Sequence, residues 1–136
     1  MKVPLLFCAM LLVISCTAQN IPAQVSNAFA KAFPATTVKK WDKEDGNFEA
    51  NFSKDGKTMS ATFDANGKWL ETETDIKITE LPAAVTSYIN TNYKGASIKE
   101  AAVISNPSSS KLYEAEVKGK DLLFDEQGKF LKEVED

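Results

Sequence analysis

The chain has 136 residues, with 19 acidic residues against 16 basic ones, a formal net charge of −3 and no histidine. This length fits one domain with a modest core, and lysines scattered among acidic residues argue against a nucleic acid partner. Because histidine is absent and both cysteines lie in the first 16 residues, the composition predicts a protein that is not an enzyme and that needs no cofactor.

Residues 1–20 are predicted to be a signal peptide. Lys2 precedes an apolar run, Val3 to Ile14, which is too short for a resident membrane helix but suits an export signal. The stretch that ends at Cys16 resembles a bacterial lipobox and predicts lipidation of Cys16, while ordinary cleavage after Ala18 is the alternative. Both predict an exported protein, either in the periplasm or anchored to the outer membrane as a lipoprotein, without an internal disulfide.

Residues 21–136 are predicted to form a single domain of two repeats, 21–78 and 79–136. The string Ile21-Pro-Ala-Gln-Val25 returns as Leu81-Pro-Ala-Ala-Val85. Later in each repeat, a second string with the pattern Phe-Asp-x-x-Gly-Lys-Trp/Phe-Leu occurs at 63–70 and again at 124–131. Two separated strings that recur in the same order indicate a tandem duplication.

A helix is predicted at the start of each repeat. Pro22 and Pro82 suit the first position of a helix, and apolar residues follow them at helical spacing. Pro34 and Gly95 are predicted to end the two helices. Each helix has only about three turns, so it needs a surface to cover with its apolar stripe.

Four short antiparallel strands are predicted after each helix. Asp45-Gly46 and Asn66-Gly67 are typical of tight hairpin turns, which makes the strand order a meander. The strands are predicted near Thr37–Lys43, Asn47–Ser53, Lys57–Asp64, Lys68–Glu73, Ser97–Ile104, Leu112–Lys118, Lys120–Asp125 and Lys129–Val134.

Alternation within the strands predicts which face of the sheet is buried. Phe48, Ala50 and Phe52 point to one face, and Glu49 and Asn51 point to the other. The predicted fold is therefore α+β, with two α-β-β-β-β units that form an eight-stranded antiparallel sheet. Both helices would cover one face, and the other face would be polar and open to water.

With these recurring strings, residues 21–136 resemble the PepSY-like, beta-lactamase-inhibitor-like (BLIP-like) periplasmic proteins. The resemblance implies the tandem BLIP-like fold and a place in the cell envelope, and it brings no catalytic motif. The tandem fold, the export signal and the missing catalytic residues together predict a non-enzymatic binding or regulatory module, with inhibition of a protease or other hydrolase as the alternative. No segment of the chain aligns with an inhibitory loop, so the resemblance supports the fold more than inhibition.

The predicted contact surface for a protein or peptide partner in the envelope is the open face of the sheet. Alternation sets Trp41 opposite to Val38 and Trp69 out of phase with Leu70, which predicts both tryptophans on that face. The alternative is that a bulge or packing on neighbouring strands turns them into the core. The polar side chains predicted to surround them are Lys39, Lys43, Glu49, Asn51 and Glu71.

A metal site is not expected. The string Asp64-Ala-Asn66-Gly67 has residues in common with calcium loops, but the further ligands of such a loop are missing from the required spacing. The same residues are typical of a hairpin turn, and a turn is the structure predicted for them.

Overall fold

Two runs of one helix and four strands follow each other along the chain. The computed structural model describes residues 20–108 and 110–135, so Cys16 and the predicted signal peptide lie outside the described part except for Asn20. The elements are α1 (Ala23–Ala32), β1 (Lys40–Glu44), β2 (Asn47–Lys54), β3 (Lys57–Phe63), β4 (Trp69–Asp75), α2 (Ala83–Asn92), β5 (Ile98–Ser105), β6 (Lys111–Val117), β7 (Lys120–Phe124) and β8 (Phe130–Glu135), with a short 3₁₀ turn at Ile78–Glu80.

The eight strands form one antiparallel sheet in sequence order, from β1 at one edge to β8 at the other. Within each run the strands are joined by hairpins, and Asp45 and Gly46 have the positive φ angles, 49° and 80°, that a tight turn requires. The two runs meet where β4 pairs with β5, from Thr72 opposite Ser105 to Asp75 opposite Ala102. The predicted eight-stranded α+β architecture is confirmed.

Both helices begin one residue later than predicted. Pro22 and Pro82 have φ near −55° but extended ψ angles of 142° and 143°, so they precede the first helical residues, Ala23 and Ala83. The carbonyl of Pro22 accepts a hydrogen bond from the backbone nitrogen of Val25 at 3.0 Å. Each proline thus serves as an N-cap, where its missing N–H leaves no donor unpaired.

The core between the helices and the sheet is divided into two clusters of the same design. In the first, Val25 and Phe29 of α1 are buried against Phe52 and Phe63, and in the second, α2 packs on β5 to β7. The second cluster includes Val85, Ile89, Ala115, Val117, Leu122 and Phe124. Each short helix is therefore held by an i, i+4 apolar pair that meets the sheet.

A third and smaller cluster contains Ile104, Leu112 and Leu123, with Val134 packed against it. These side chains alternate with the residues under α2, so they belong to the opposite side of the sheet. Within the part of the chain that the structure describes, neither helix is long and apolar enough to cross a membrane.

Candidate functional site: the open face of the sheet

We call the side of the sheet opposite to α1 and α2 the open face. Its residues are identified by strand register, because residues directly opposite each other on neighbouring strands point to the same side. Glu49 pairs with Asp42 on one side and with Thr62 on the other, and Thr62 pairs in turn with Glu71. These four side chains form one row across β1 to β4.

The first half of the open face has a polar network near its edge. The Asn51 amide donates a hydrogen bond to Asp42 Oδ2 at 2.9 Å, and Lys40 Nζ lies 2.7 Å from Asp42 Oδ1. The side chains in these contacts are exposed or half-exposed, so the contacts orient the side chains but add little to the stability of the fold.

Carboxylates occupy the middle of the open face. Glu71 is only 6% exposed, and this burial, with the charge of Glu49 nearby, raises its pKa to about 7 from the usual 4.5. The pKa of Glu49 is also raised, mainly by burial. The pKa of Glu73 is raised by burial first and then by the charges of Glu49, Glu71, Asp75 and Asp121. Burial and neighbouring carboxylates on the open face therefore oppose the ionisation of Glu49, Glu71 and Glu73.

The second half of the open face is apolar as well as acidic. Register places Glu73 beside Ile104, and Ile104 beside Leu112. In the next row, Glu114 lies opposite Leu123. The expectation of a uniformly polar open face is thus wrong for β5 to β8, because apolar side chains there occupy both sides of the strands.

The two tryptophans do not lie on the open face, and that prediction is wrong. Trp41 pairs with Ala50 on the helix side, where its ring makes an edge contact with Phe29 at 5.9 Å between centroids. Val38 packs on the same cluster. Because the chain between Val38 and Trp41 enters regular strand only at Lys40, alternation counted from Val38 fails.

Trp69 is turned to the helix side by a register shift between Thr62 and Phe63, which makes Trp69 the partner of Phe63. There its indole Nε1 donates a hydrogen bond to Thr72 Oγ1 at 2.9 Å. Such a bulge reverses the side of the sheet to which a residue points. The alternative prediction, that a bulge or packing turns the tryptophans into the core, agrees with the structure.

The remaining predicted surface residues are divided between the two sides. Glu49, Asn51 and Glu71 lie together on the open face, whereas Lys43 lies over the Phe48 ring, 5.4 Å from its centroid, on the helix side. Lys39 Nζ donates a hydrogen bond to Ser53 Oγ at 2.6 Å at the end of β2. The structure therefore brings three of the seven predicted residues together.

Sequence reasoning missed Glu73 at the border between the two halves, and it missed the apolar residues that give the second half of this face its character: Ile104, Leu112, Leu123 and Val134. Adjacent apolar pairs such as Val103-Ile104 and Leu122-Leu123 were the available signal, since a strand with one wet face alternates instead.

The string Asp64-Ala-Asn66-Gly67 forms the predicted hairpin turn. Asp64 Oδ1 accepts hydrogen bonds from the backbone nitrogens of Asn66 and Lys68 at 2.9 and 3.0 Å. Among residues 20–108 and 110–135, no three His, Cys, Asp or Glu side chains are grouped so that they could hold a metal ion.

Comparison with known proteins agrees with this architecture. A BLIP-like protein from Bacteroides fragilis has a TM-score of 0.66 and 29% identity, over 85% of this chain and 87% of the other. A DUF2874 family protein from Bacteroides ovatus has a TM-score of 0.75 and 23% identity, over 85% and 88%.

A protein from Bacteroides eggerthii, described as "putative periplasmic", has a TM-score of 0.75 and 20% identity over 85% and 88%. No curated protein matches. Residues 13–60 and 46–132 match the family described as "Putative beta-lactamase-inhibitor-like, PepSY-like". The chain belongs to this PepSY-like, beta-lactamase-inhibitor-like family.

Proposed function

We propose that this protein is a non-enzymatic binding or regulatory module of the cell envelope that contacts a protein or peptide through its open face. The observation that carries the proposal is the arrangement of the sheet: both helices cover one side, and the other side groups Glu49, Glu71 and Glu73 next to apolar side chains. Apolar side chains mixed with polar groups are typical of contact surfaces.

Catalysis by carboxylates fits this surface less well than binding does. Acid–base catalysis by two carboxyl groups needs surroundings that move their pKa values apart. On the open face the pKa values of Glu49, Glu71 and Glu73 are all raised. Burial and the crowding of like charges raise all three pKa values in the same direction, and a cationic group from a partner would lower them again.

The proposed location is the periplasm or the outer membrane. It is supported by the signal-like residues 1–20 and the lipobox-like stretch at Cys16, and by the "putative periplasmic" description of a protein with the same fold. Lipid attachment at Cys16 would give the module a second, membrane-bound contact.

Site-specific photo-crosslinking tests the open face as the contact surface. A photoreactive amino acid replaces Asn51 on the open face or, as a matched control, Asn90, which is exposed on α2. We expect envelope extract to give a discrete crosslinked species from position 51 and none from position 90. Crosslinks from position 90 alone would place the contact on the helix side and refute the proposal.

A further inference from the structure

The last hairpin turn of each repeat has the same geometry, but the two turns differ in one side chain. In the turn between β3 and β4, Asp64 Oδ1 accepts a hydrogen bond from the backbone nitrogen of Asn66 at 2.9 Å. In the turn between β7 and β8, Asp125 Oδ1 accepts the equivalent bond from Gln127 at 3.0 Å. Asn66 therefore occupies in the first turn the position that Gln127 occupies in the second.

A glycine follows this position in both turns. Gly67 and Gly128 have φ angles of 83° and 82°. The backbone nitrogen of each glycine donates a hydrogen bond to the carbonyl of the aspartate three residues before it, at 3.0 and 2.9 Å. Because the backbone is alike around both pairs, a difference in their reactivity has to come from the side chains of Asn66 and Gln127.

Asn66 is the only asparagine in the chain that a glycine follows. The backbone nitrogen of Gly67 can attack the side-chain carbonyl carbon of Asn66, because this bond closes a five-membered ring and glycine has no side chain to hinder the approach. The same attack on Gln127 would close a six-membered ring, which forms much more slowly. Asn66 is exposed, so hydroxide and water reach it.

This reaction consumes only water and releases ammonia. Hydroxide removes the N–H proton of Gly67, and the nitrogen forms a bond to Cγ of Asn66. The side-chain nitrogen leaves and takes a proton from water, which gives ammonia and restores hydroxide. Water then opens the cyclic imide: cleavage between the Gly67 nitrogen and Cγ gives aspartate, and cleavage between this nitrogen and the main-chain carbonyl carbon gives isoaspartate.

The folded turn slows the reaction but does not prevent it. The hydrogen bond from the Gly67 nitrogen to the Asp64 carbonyl has to break before this nitrogen can lose its proton and turn towards Cγ. Ala65, Asn66 and Lys68 are exposed, so the tip of the hairpin can open without unfolding the core beneath it. The reaction therefore takes place from a locally opened turn.

We propose that Asn66 is a site of spontaneous deamidation, and that its isoaspartyl product releases the β3–β4 hairpin from α1. A Cβ atom added to Gly67 would lie 2.5 Å from the backbone oxygen of Gln24 and 3.4 Å from the Cβ of Ala28, so the contact has no room for a shift of Gly67. Isoaspartate adds one atom to the main chain directly before Gly67. The added atom displaces Gly67 from this close contact.

Incubation of the folded protein at pH 8, followed by peptide mapping, tests the proposal. Mass spectrometry detects the replacement of NH₂ by OH, and methylation by an isoaspartyl methyltransferase locates isoaspartate. The variant Asn66→Gln gives the first turn the residue of the second, and Gln127→Asn gives the second turn the residue of the first. Far-UV circular dichroism checks that both variants are folded.

We expect the wild type to form isoaspartate at position 66 before any other asparagine reacts. Asn66→Gln should form isoaspartate in neither turn, and Gln127→Asn should form it in both. The rate should rise with pH, and it should rise further when urea unfolds the chain. A folded wild type that forms no isoaspartate at position 66, or that reacts as fast as the chain in urea, would overturn the proposal.

The release of the hairpin is tested on the isoaspartyl form of the protein, which is isolated by ion exchange. Asn66→Asp is the matched control, because it carries the same added charge on an unaltered main chain. We expect the isoaspartyl form to unfold at a lower urea concentration than Asn66→Asp, measured by the fluorescence of the tryptophans, since Trp69 begins β4. Equal midpoints would show that the hairpin stays on α1, and the proposed release would be wrong.

Discussion

Single residues on the open face carry the clearest electrostatic consequence of the fold. Glu71 lies opposite Thr62 on the neighbouring strand. It is buried, and the carboxylates of Glu49 and Glu73 lie near it. Because burial opposes the charged form, the folded protein binds a proton at Glu71 more tightly than the unfolded chain does. Ionisation of Glu71 therefore destabilises the fold.

The substitution Glu71→Gln is expected to change the pH dependence of stability. Since the pKa of Glu71 is raised from 4.5 to about 7, the free energy of unfolding of the wild type falls as the pH rises between these values. The variant should be more stable than the wild type by on the order of 1–3 kcal/mol at pH 8, and should gain nothing at pH 4.

Urea denaturation of both proteins at pH 4, 6 and 8 measures this difference. Glu126→Gln, in an exposed turn, is the control and should follow the wild type at each pH. A gain from Glu71→Gln that is the same at pH 4 and pH 8 would contradict the assignment, because it would not arise from ionisation.

At the scale of elements, the last hairpin of each repeat is fitted against the helix that opens the same repeat. A Cβ atom added to Gly67 would lie 2.5 Å from the backbone oxygen of Gln24 in α1, and one added to Gly128 would lie 2.9 Å from the Cβ of Ala84 in α2. The recurring Phe-Asp-x-x-Gly-Lys string thus marks the place where hairpin and helix touch, which explains its presence in both halves.

We expect Gly67→Ala to lower the free energy of unfolding by about 2–4 kcal/mol, from a positive φ and from overlap with Gln24. Gly46→Ala has a similar φ of 80° but no atom within 4 Å of the added Cβ, so it should cost only about 1 kcal/mol. Thermal or urea denaturation measures both. Equal losses would show that the contact between hairpin and helix adds nothing.

Sequence patterns predict the helices and turns well, because these elements depend on residues that are close together in the chain. Apolar spacing and the prolines located both helices, and Asp-Gly and Asn-Gly pairs located the turns. The position of Trp69 could not be predicted in this way, because the bulge between Thr62 and Phe63 depends on pairing between two strands. Strand alternation assumes regular pairing, and a single irregularity inverts its result.

At the scale of the whole molecule, the two repeats are joined into one hydrogen-bonded sheet by β4 and β5. Both tryptophans lie in the first repeat, against the cluster under α1. Tryptophan fluorescence therefore reports on the first half, whereas far-UV circular dichroism reports on both. This difference allows cooperation between the halves to be measured without labels.

We expect Ile89→Ala, which removes a buried side chain (1% exposed) from α2, to lower stability by about 2–5 kcal/mol. Because the sheet is continuous, the urea midpoint measured by tryptophan fluorescence should fall together with that measured by circular dichroism. Ile78→Ala, at an exposed position, is the control. A fluorescence midpoint that stays in place while the dichroism transition splits would show that the halves unfold separately.

The duplication made the architecture predictable from the sequence, since each half supports the interpretation of the other. The apolar side chains on the open face of the second half, Ile104, Leu112, Leu123 and Val134, were not predicted, because the expected polar face rested on alternation in β2 and β3 of the first repeat. Ile104 and Leu123 each follow an apolar neighbour that faces the helix side, so simple alternation cannot assign them. Only the register of neighbouring strands shows to which side they belong.

The edge strands β1 and β8 affect whether molecules of the protein pair edge to edge at high concentration. β1 carries Lys40, Asp42 and Lys43, and β8 carries Lys132 and Glu133. Charged side chains along a short terminal strand discourage the strand of a neighbouring molecule from continuing the ladder. The charged edges therefore protect a sheet of this width from polymerising into cross-β fibres.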